Sequence, residues 1–198
     1  MTKFYIDVDD TLADFQSYAI ERGIPPWTGT WYTNCPTTWT DEQRDIQART
    51  NALMESEDFW ANIPLMPGAF EILTAAAMRG ETYLLTAYPR TCPDKEMVKR
   101  VKIEWAVRNL HFPADRVIVC DRPDKTKYAT TREAYMATTD VLGGRSLVDS
   151  VSPNVLVDDA AKNCEEWAEA GGVAILYHAR TPTALADTLA AIKGIERG

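Results

Sequence analysis

Short apolar runs alternate with stretches of helical period along this chain. Residues 3–8 read as a short buried strand that stops at acidic residues. Residues 12–22 carry a helical pattern ending at Gly23, and 24–40, rich in Pro, Trp and Thr, read as a loop. Thr40 and Gln43 have the spacing of a capping box and predict a helix through about Ser56. Pro67 and Gly68 open a further helix that closes at Gly80. Beyond it the pattern predicts a strand over 82–86, a helix over 94–110, a strand over 116–120 and a helix over 126–138. A strand over 154–157 then runs into Asp158 and Asp159. A helix to Ala170, a strand over 173–177 and a helix over 183–193 complete the chain.

From residue 65 onward strands alternate with helices. That predicts an α/β fold with a parallel central sheet covered by helices on both faces, a three-layer α/β/α arrangement. Residues 15–65 interrupt the alternation directly after the first strand and read as a small inserted helical cap. The core domain is then 1–14 with 66–198. Ligands of open parallel sheets bind beyond the carboxyl ends of the strands. The polar residues at those ends are Asp7, Asp9, Thr86, Asp121, Asp158 and Asp159.

Net charge is 21 − 29 = −8, which argues against general nucleic-acid binding. Residues 88–132 nevertheless hold 11 Lys/Arg against 6 Asp/Glu. One basic stretch in an acidic protein suits a small anion, or a solvated helix face in 94–110. Cys35, Cys92, Cys120 and Cys164 lack CxxC spacing and read as free thiols of a reducing compartment. No apolar run approaches the roughly 20 residues that span a bilayer, and Asp7 interrupts the first strand too early for a signal peptide. A cytoplasmic protein is expected.

Asp7, Asp9, Asp10 and Asp14 place four carboxylates within eight residues after a buried strand. Such crowding needs a cation, and a hard, oxygen-seeking ion such as Mg²⁺ suits it. A strand end places Asp7 and Asp9 on the same side while Val8 points away. Two carboxylates so placed can divide the work, one attacking and the other exchanging protons with the leaving group.

Asp7-Val8-Asp9-Asp10-Thr11 resembles the DxDxT first motif of the haloacid dehalogenase (HAD) superfamily of phosphotransferases. Thr86, closing Tyr83-Leu84-Leu85, resembles that superfamily's second-motif hydroxyl, and Asp158-Asp159 resembles its acidic fourth motif. The resemblance implies a HAD-like Rossmannoid fold and an aspartyl-phosphate mechanism. Within the superfamily the chain is similar to the 5′(3′)-deoxyribonucleotidases. The similar pieces are Leu12-Ala13-Asp14-Phe15, Met54 to Trp60, Leu65 to Ala69, Lys102-Ile103-Glu104-Trp105 and Asp124-Lys125-Thr126.

That resemblance implies a Mg²⁺-dependent phosphomonoesterase acting on nucleoside monophosphates. Asp7, Asp9, Thr86 and Lys125 would be catalytic; Asp7, Asp9, Asp159 and Asp158 would hold the metal, Asp159 directly. Phe15, Lys102, Thr86 and Trp60 would bind substrate. Lys125 is the first choice for the third-motif lysine, Lys102 a second phosphate ligand and Lys127 the fallback, because 32 residues (126–157) separate Lys125 from the acidic pair. The chain has Ala87 where the family has a second hydroxyl. Between 15 and 60 lie 8 of the 19 aromatic residues, suited either to stacking on a base or to filling a small cap's own core. His111 and His178 read as loop or surface residues. The expected partner is a small nucleoside monophosphate, with no stable nucleic acid and no membrane; a homodimer is compatible with the sequence. The rival readings are a phosphatase for another small ester or a polynucleotide 3′-phosphate, and a non-catalytic phosphate-binding module.

Overall fold

The computed structural model describes residues 2–25, 40–89, 92, 94–138 and 145–195. Trp27, Trp31, Tyr32, Cys35, Trp39, Gly143 and Gly144 lie outside them. The strands are β1 (Lys3–Ile6), β2 (Glu81–Ala87), β3 (Val117–Cys120), β4 (Thr130–Thr138), β5 (Arg145–Pro153), β6 (Val155–Asp158) and β7 (Val173–Leu176). The helices are α1 (Phe15–Glu21), α2 (Asp41–Met54), α3 (Glu57–Ala61), α4 (Ala69–Ala77), α5 (Lys95–Leu110), α6 (Ala161–Glu169) and α7 (Ala184–Gly194). Five strands form one sheet in the order β3-β2-β1-β6-β7. The pairings of β1 with β6, β2 with β3 and β6 with β7 are parallel. This is the expected α/β architecture. Val155, Leu156 and Val157 of β6 are all buried, as an unbroken apolar run must be when helices cover both faces.

The chain divides into two compact units. The first comprises Met1–Ile6, Glu71–Tyr83 and Pro123–Gly198. Its core holds Phe4, Ile6, Ile72, Leu156, Trp167 and Ile192. The Tyr5 ring stacks on Tyr83 at 5.3 Å and touches Tyr128 and Trp167 at its sides. Burial, reinforced by Tyr83, Tyr128 and Glu81, pushes the Tyr5 hydroxyl up to about 12. The second unit comprises Asp7–Phe70 and Leu84–Arg122. Leu12, Phe59, Leu84, Leu85, Val98 and Val101 are buried there. Two buried indoles pin its connections: Trp60 Nε1 donates to Met54 O (2.8 Å) and Trp105 Nε1 to Ile63 O (2.7 Å). Arg100 of α5 reaches Glu57 of α3 at 2.7 Å, and holds that carboxyl below its ordinary range.

Three expectations need correction. The first strand ends at Ile6, not Val8, because Val8 O turns to accept local N–H groups instead of continuing a ladder. The first helix begins at Phe15, since Asp14 caps it; Leu12 and Ala13 belong to the preceding turn. Residues 126–138 are not helical. A 3-10 helix over Arg122–Tyr128 ends there, and β4 pairs antiparallel with β5 in nine-residue register from Thr130↔Pro153 to Thr138↔Arg145. The run from Arg132 to Ala137 is rich in helix formers, but pairing with a partner strand overrides intrinsic propensity. The capping box at Thr40 and Gln43 is present in both its bonds. Cys92, Cys120 and Cys164 are free thiols. Among the described residues no helix is long and apolar enough to cross a membrane.

Gly172 marks a close approach. A Cβ there would lie 2.2 Å from Trp167 Nε1 and 2.9 Å from Ala129 O. Gly172→Ala is therefore expected to destabilise the fold by about 1–3 kcal/mol through overpacking. That lowers Tm by roughly 2–10 °C for a chain of this size, read by thermal denaturation.

Candidate active site

Buried Ile6, the last residue of β1, pairs with Val157 of β6, and Asp158 closes β6. Past Asp7 the chain turns back at once. The N–H groups of Thr11, Leu12 and Ala13 all donate to Val8 O, and Asp10 takes a left-handed φ of 56°. This tight turn, not strand alternation, positions Asp9. The four clustered carboxylates then separate by role. Asp10 accepts from Gln16 N (2.9 Å) and Asp14 caps α1 through Ser17 N (3.3 Å), so both serve the backbone.

Asp9 belongs to a compact polar group with Thr86 and Lys102. Thr86, fully buried, stands near the carboxyl end of β2. Lys102 projects from the middle of α5 and is 3% exposed. Its ammonium donates to Asp9 Oδ2 (2.5 Å), Thr86 Oγ1 (2.8 Å) and Ala87 O (3.0 Å). Those three acceptors match its three N–H bonds, as a buried cation requires. Thr86 Oγ1 also lies 3.4 Å from Asp9 Oδ2. Where the resemblance leads one to expect a second hydroxyl, Ala87 contributes its carbonyl to Lys102 instead.

Lys102 Nζ sits 4.7 Å from the centre of the Trp60 ring. Trp60 is buried, its N–H committed to Met54 O, so it backs Lys102 and Phe15 rather than presenting a free face. Phe15 is half-buried; its ring meets Phe59 edge-on at 5.5 Å and Trp60 at 5.7 Å.

A second group forms around Asp158, which is fully buried at the end of β6. Lys125, 3% exposed on the 3-10 helix, donates to Asp158 Oδ2 at 2.7 Å. Ala160 N donates to Oδ1 (2.9 Å), and Asn163 Nδ2 reaches both oxygens (2.9 and 3.0 Å). Both Asp158 oxygens are thus engaged. Lys127, the fallback lysine, is 68% exposed and pairs with its neighbour Asp124, so it is a surface residue. Asp159 is half-buried.

Asp7, Asp158 and Asp159 are carboxylates that could hold a metal ion, each offering one oxygen. A set made of hard oxygen donors alone suits Mg²⁺ and offers nothing to a thiophilic metal.

Sequence reasoning missed Asn163 and the Ala160 N–H as partners of Asp158, and the direct contact of Lys102 with Asp9. The signal for Asn163 was its place on the first turn of α6, facing back to the acidic pair. Asp121, singled out at a strand end, forms a surface pair with Lys95 at 2.6 Å. His111 ends α5 in a left-handed conformation, and His178 follows β7 exposed.

The chain superposes with a TM-score of 0.53 on the crystal structure of a haloacid dehalogenase-like family hydrolase from Xanthomonas campestris. The two share 16% identity over 98% of this chain and 91% of the other. A hydrolase from Streptococcus pneumoniae matches with a TM-score of 0.42 and 13% identity, over 95% and 97% of the two chains. No protein-family model and no curated protein matches the sequence. The fold is that of the haloacid dehalogenase-like hydrolases.

Proposed function

We propose that this chain is a Mg²⁺-dependent phosphomonoesterase of the haloacid dehalogenase type, acting on (deoxy)nucleoside monophosphates in the cytoplasm, with 15–65 as its cap. The joining of Asp9, Thr86 and Lys102 in one hydrogen-bonded group, two residues from Asp7, carries this reading.

In the proposed reaction Asp7 attacks phosphorus in line. A bond forms from its carboxylate oxygen to phosphorus while the bond from phosphorus to the sugar oxygen breaks. Asp9 gives its proton to the departing oxygen, then takes one from the water that hydrolyses the aspartyl-phosphate. Thr86 and Lys102 turn from Asp9 to the phosphate oxygens, which frees the Asp9 carboxyl to carry the proton. Asp7, the Asp9 main chain and Asp159 would hold Mg²⁺, with Asp158 behind them. When bound, the cation offsets the charge of the phosphate oxygens. Lys125 balances the acidic pair.

The engagement of both Asp158 oxygens orders the two motif-IV substitutions. Asp159→Ala is expected to raise the Mg²⁺ concentration needed for half-maximal phosphate release by about 10- to 100-fold. Asp158→Ala is expected to shift it less and to cost stability by releasing Lys125. A Mg²⁺ titration with a melting curve for each variant checks both, and the reverse order would mean the pair was assigned the wrong way round.

For the substrate, Phe15 supplies an apolar wall fixed by Phe59 and Trp60. A 2′-hydroxyl against such a wall would be desolvated and unpaired, at about 1–3 kcal/mol, or a roughly 5- to 150-fold preference for deoxy substrates. Phosphate release from matched deoxy- and ribonucleoside monophosphates and from ribose 5-phosphate, each with Mg²⁺ and with excess EDTA, tests the proposal. Phe15→Ala should erode the deoxy preference while sparing a small aryl phosphate. Equal kcat/KM for ribose 5-phosphate and a deoxynucleotide would defeat the nucleotidase reading, and full activity in EDTA would defeat the metal.

A further inference from the structure

We propose that Asn154 is a positioning residue that sets Lys125 against Asp158, a role that rests on the phosphatase reading above only for its catalytic consequence. Asn154 is 1% exposed and stands immediately before β6. Its Nδ2 donates to Tyr128 O at 2.8 Å, and its Oδ1 accepts from Lys3 N at 3.1 Å. A carbonyl can only accept and an N–H can only donate, so these two backbone partners fix which end of the amide is which. Thr131 Oγ1 lies 2.9 Å from Nδ2 and 3.1 Å from Oδ1, steadying the amide plane. The Asn154 main chain is equally committed. Its N–H donates to Ala129 O (2.8 Å), and its carbonyl accepts from Trp167 Nε1 (3.1 Å) and Val173 N (2.8 Å).

The leverage comes from where these bonds fall. On one side Asn154 feeds β6, held in parallel register by β1 and β7, and the last residue of that strand is Asp158. On the other side it grips Tyr128, the final residue of the 3-10 helix and one 3-10 turn beyond Lys125. Two contacts therefore close a small ring: Asn154 to Tyr128 at one end, Lys125 to Asp158 at the other. Between Tyr128 and Asn154 the chain runs out through the hairpin of β4 and β5 and back. The ladder from Thr130↔Pro153 and the bond from Asn154 N to Ala129 O hold the two segments side by side; the amide adds the tie to Tyr128 itself, and with it cut the Lys125 ammonium depends more on its own bond.

The test uses the purified full chain and two readouts. Asn154→Asp is isosteric: it keeps the acceptor for Lys3 N and removes the donors to Tyr128 O and Thr131 Oγ1. Acetylation by acetic anhydride, followed lysine by lysine with peptide mass spectrometry, reports local opening. Lys125 is expected to label about tenfold faster in Asn154→Asp, for the loss of these bonds, while Lys102, equally buried on α5, keeps its wild-type rate. Thr131→Val, a gentler change, is expected to give a smaller gain at Lys125 of roughly two- to threefold, and decides the matter if Asn154→Asp does not fold. The second readout is kcat on a small aryl phosphate: Asn154→Asp lowers it, but adds no further loss in a Lys125→Met background, as two residues acting through one contact must. Equal loosening of Lys125 and Lys102, unchanged labelling of Lys125, or losses that multiply would overturn the proposal. If the wild type turns over no phosphate ester, the phosphatase reading fails while the labelling result still stands or falls by itself.

Discussion

Asp7→Asn is expected to abolish phosphate release, with a loss on the order of 10⁴-fold or more, as for removal of other catalytic nucleophiles. The physical reason is direct: an amide nitrogen or oxygen has neither the charge nor the lone-pair donor strength to displace a sugar oxygen from phosphorus. Asp7 is buried just beyond the end of β1. Asn is isosteric with Asp, so the variant should fold and melt close to the wild type. Asp9→Asn should behave differently. It keeps the nucleophile and loses the proton carrier, so a good leaving group such as p-nitrophenolate should still yield aspartyl-phosphate slowly, whereas a sugar alkoxide should not. Quenched reactions analysed for phosphorylated Asp7 separate the two variants. Turnover by Asp7→Asn close to wild type would sink the covalent mechanism.

Much of this site was legible because it lies at ends of strands. Asp7, Thr86 and the Asp158-Asp159 pair each follow an apolar run, and a parallel sheet delivers the carboxyl ends of its strands to one edge. The capping box was legible for a local reason: both of its bonds join residues three apart. What could not be read was anything set by contact between distant segments. Lys102 and Asp9 are 93 residues apart, and only the packing of α5 brings that ammonium onto Asp9 and Thr86. Lys125 was the first choice for the third-motif lysine, but its partner Asp158 lies 33 residues on, across a hairpin mistaken in part for a helix. The turn after Asp7 was misjudged because a period of two says nothing about a carbonyl that collects three N–H groups. For the aromatic residues of 15–60, composition left both base stacking and cap core open, with cap core the favoured reading for each but Phe15. The buried N–H of Trp60 and its face toward Lys102 place that residue in the supporting layer.

The two buried lysines should fail in different ways when truncated. Lys102→Met keeps most of the aliphatic stem beside Trp60 and removes only the ammonium. Asp9 is left partly exposed to water, so the orphaned carboxylate can be solvated and the cost in stability should be modest. The cost in rate should not be. The cation that would meet the phosphate oxygens with Thr86 is gone, and loss of one such donor typically lowers kcat by about 10²- to 10³-fold. Lys125→Met removes a cation whose partner, Asp158, is fully buried. Breaking a buried pair from one side costs about 3–5 kcal/mol when nothing else compensates, but Asn163 and Ala160 N still donate to Asp158, so the loss should fall toward the lower end. Lys125→Met should therefore show a clear drop in Tm together with reduced turnover. Lys127→Met should resemble the wild type in both, since Lys127 is exposed and its pair with Asp124 lies at the surface. Steady-state hydrolysis of an aryl phosphate and a melting curve for each of the three variants give the comparison. If Lys102→Met turns over normally while Lys125→Met is dead at an unchanged Tm, the phosphate clamp is Lys125, and Lys102 serves only to neutralise Asp9.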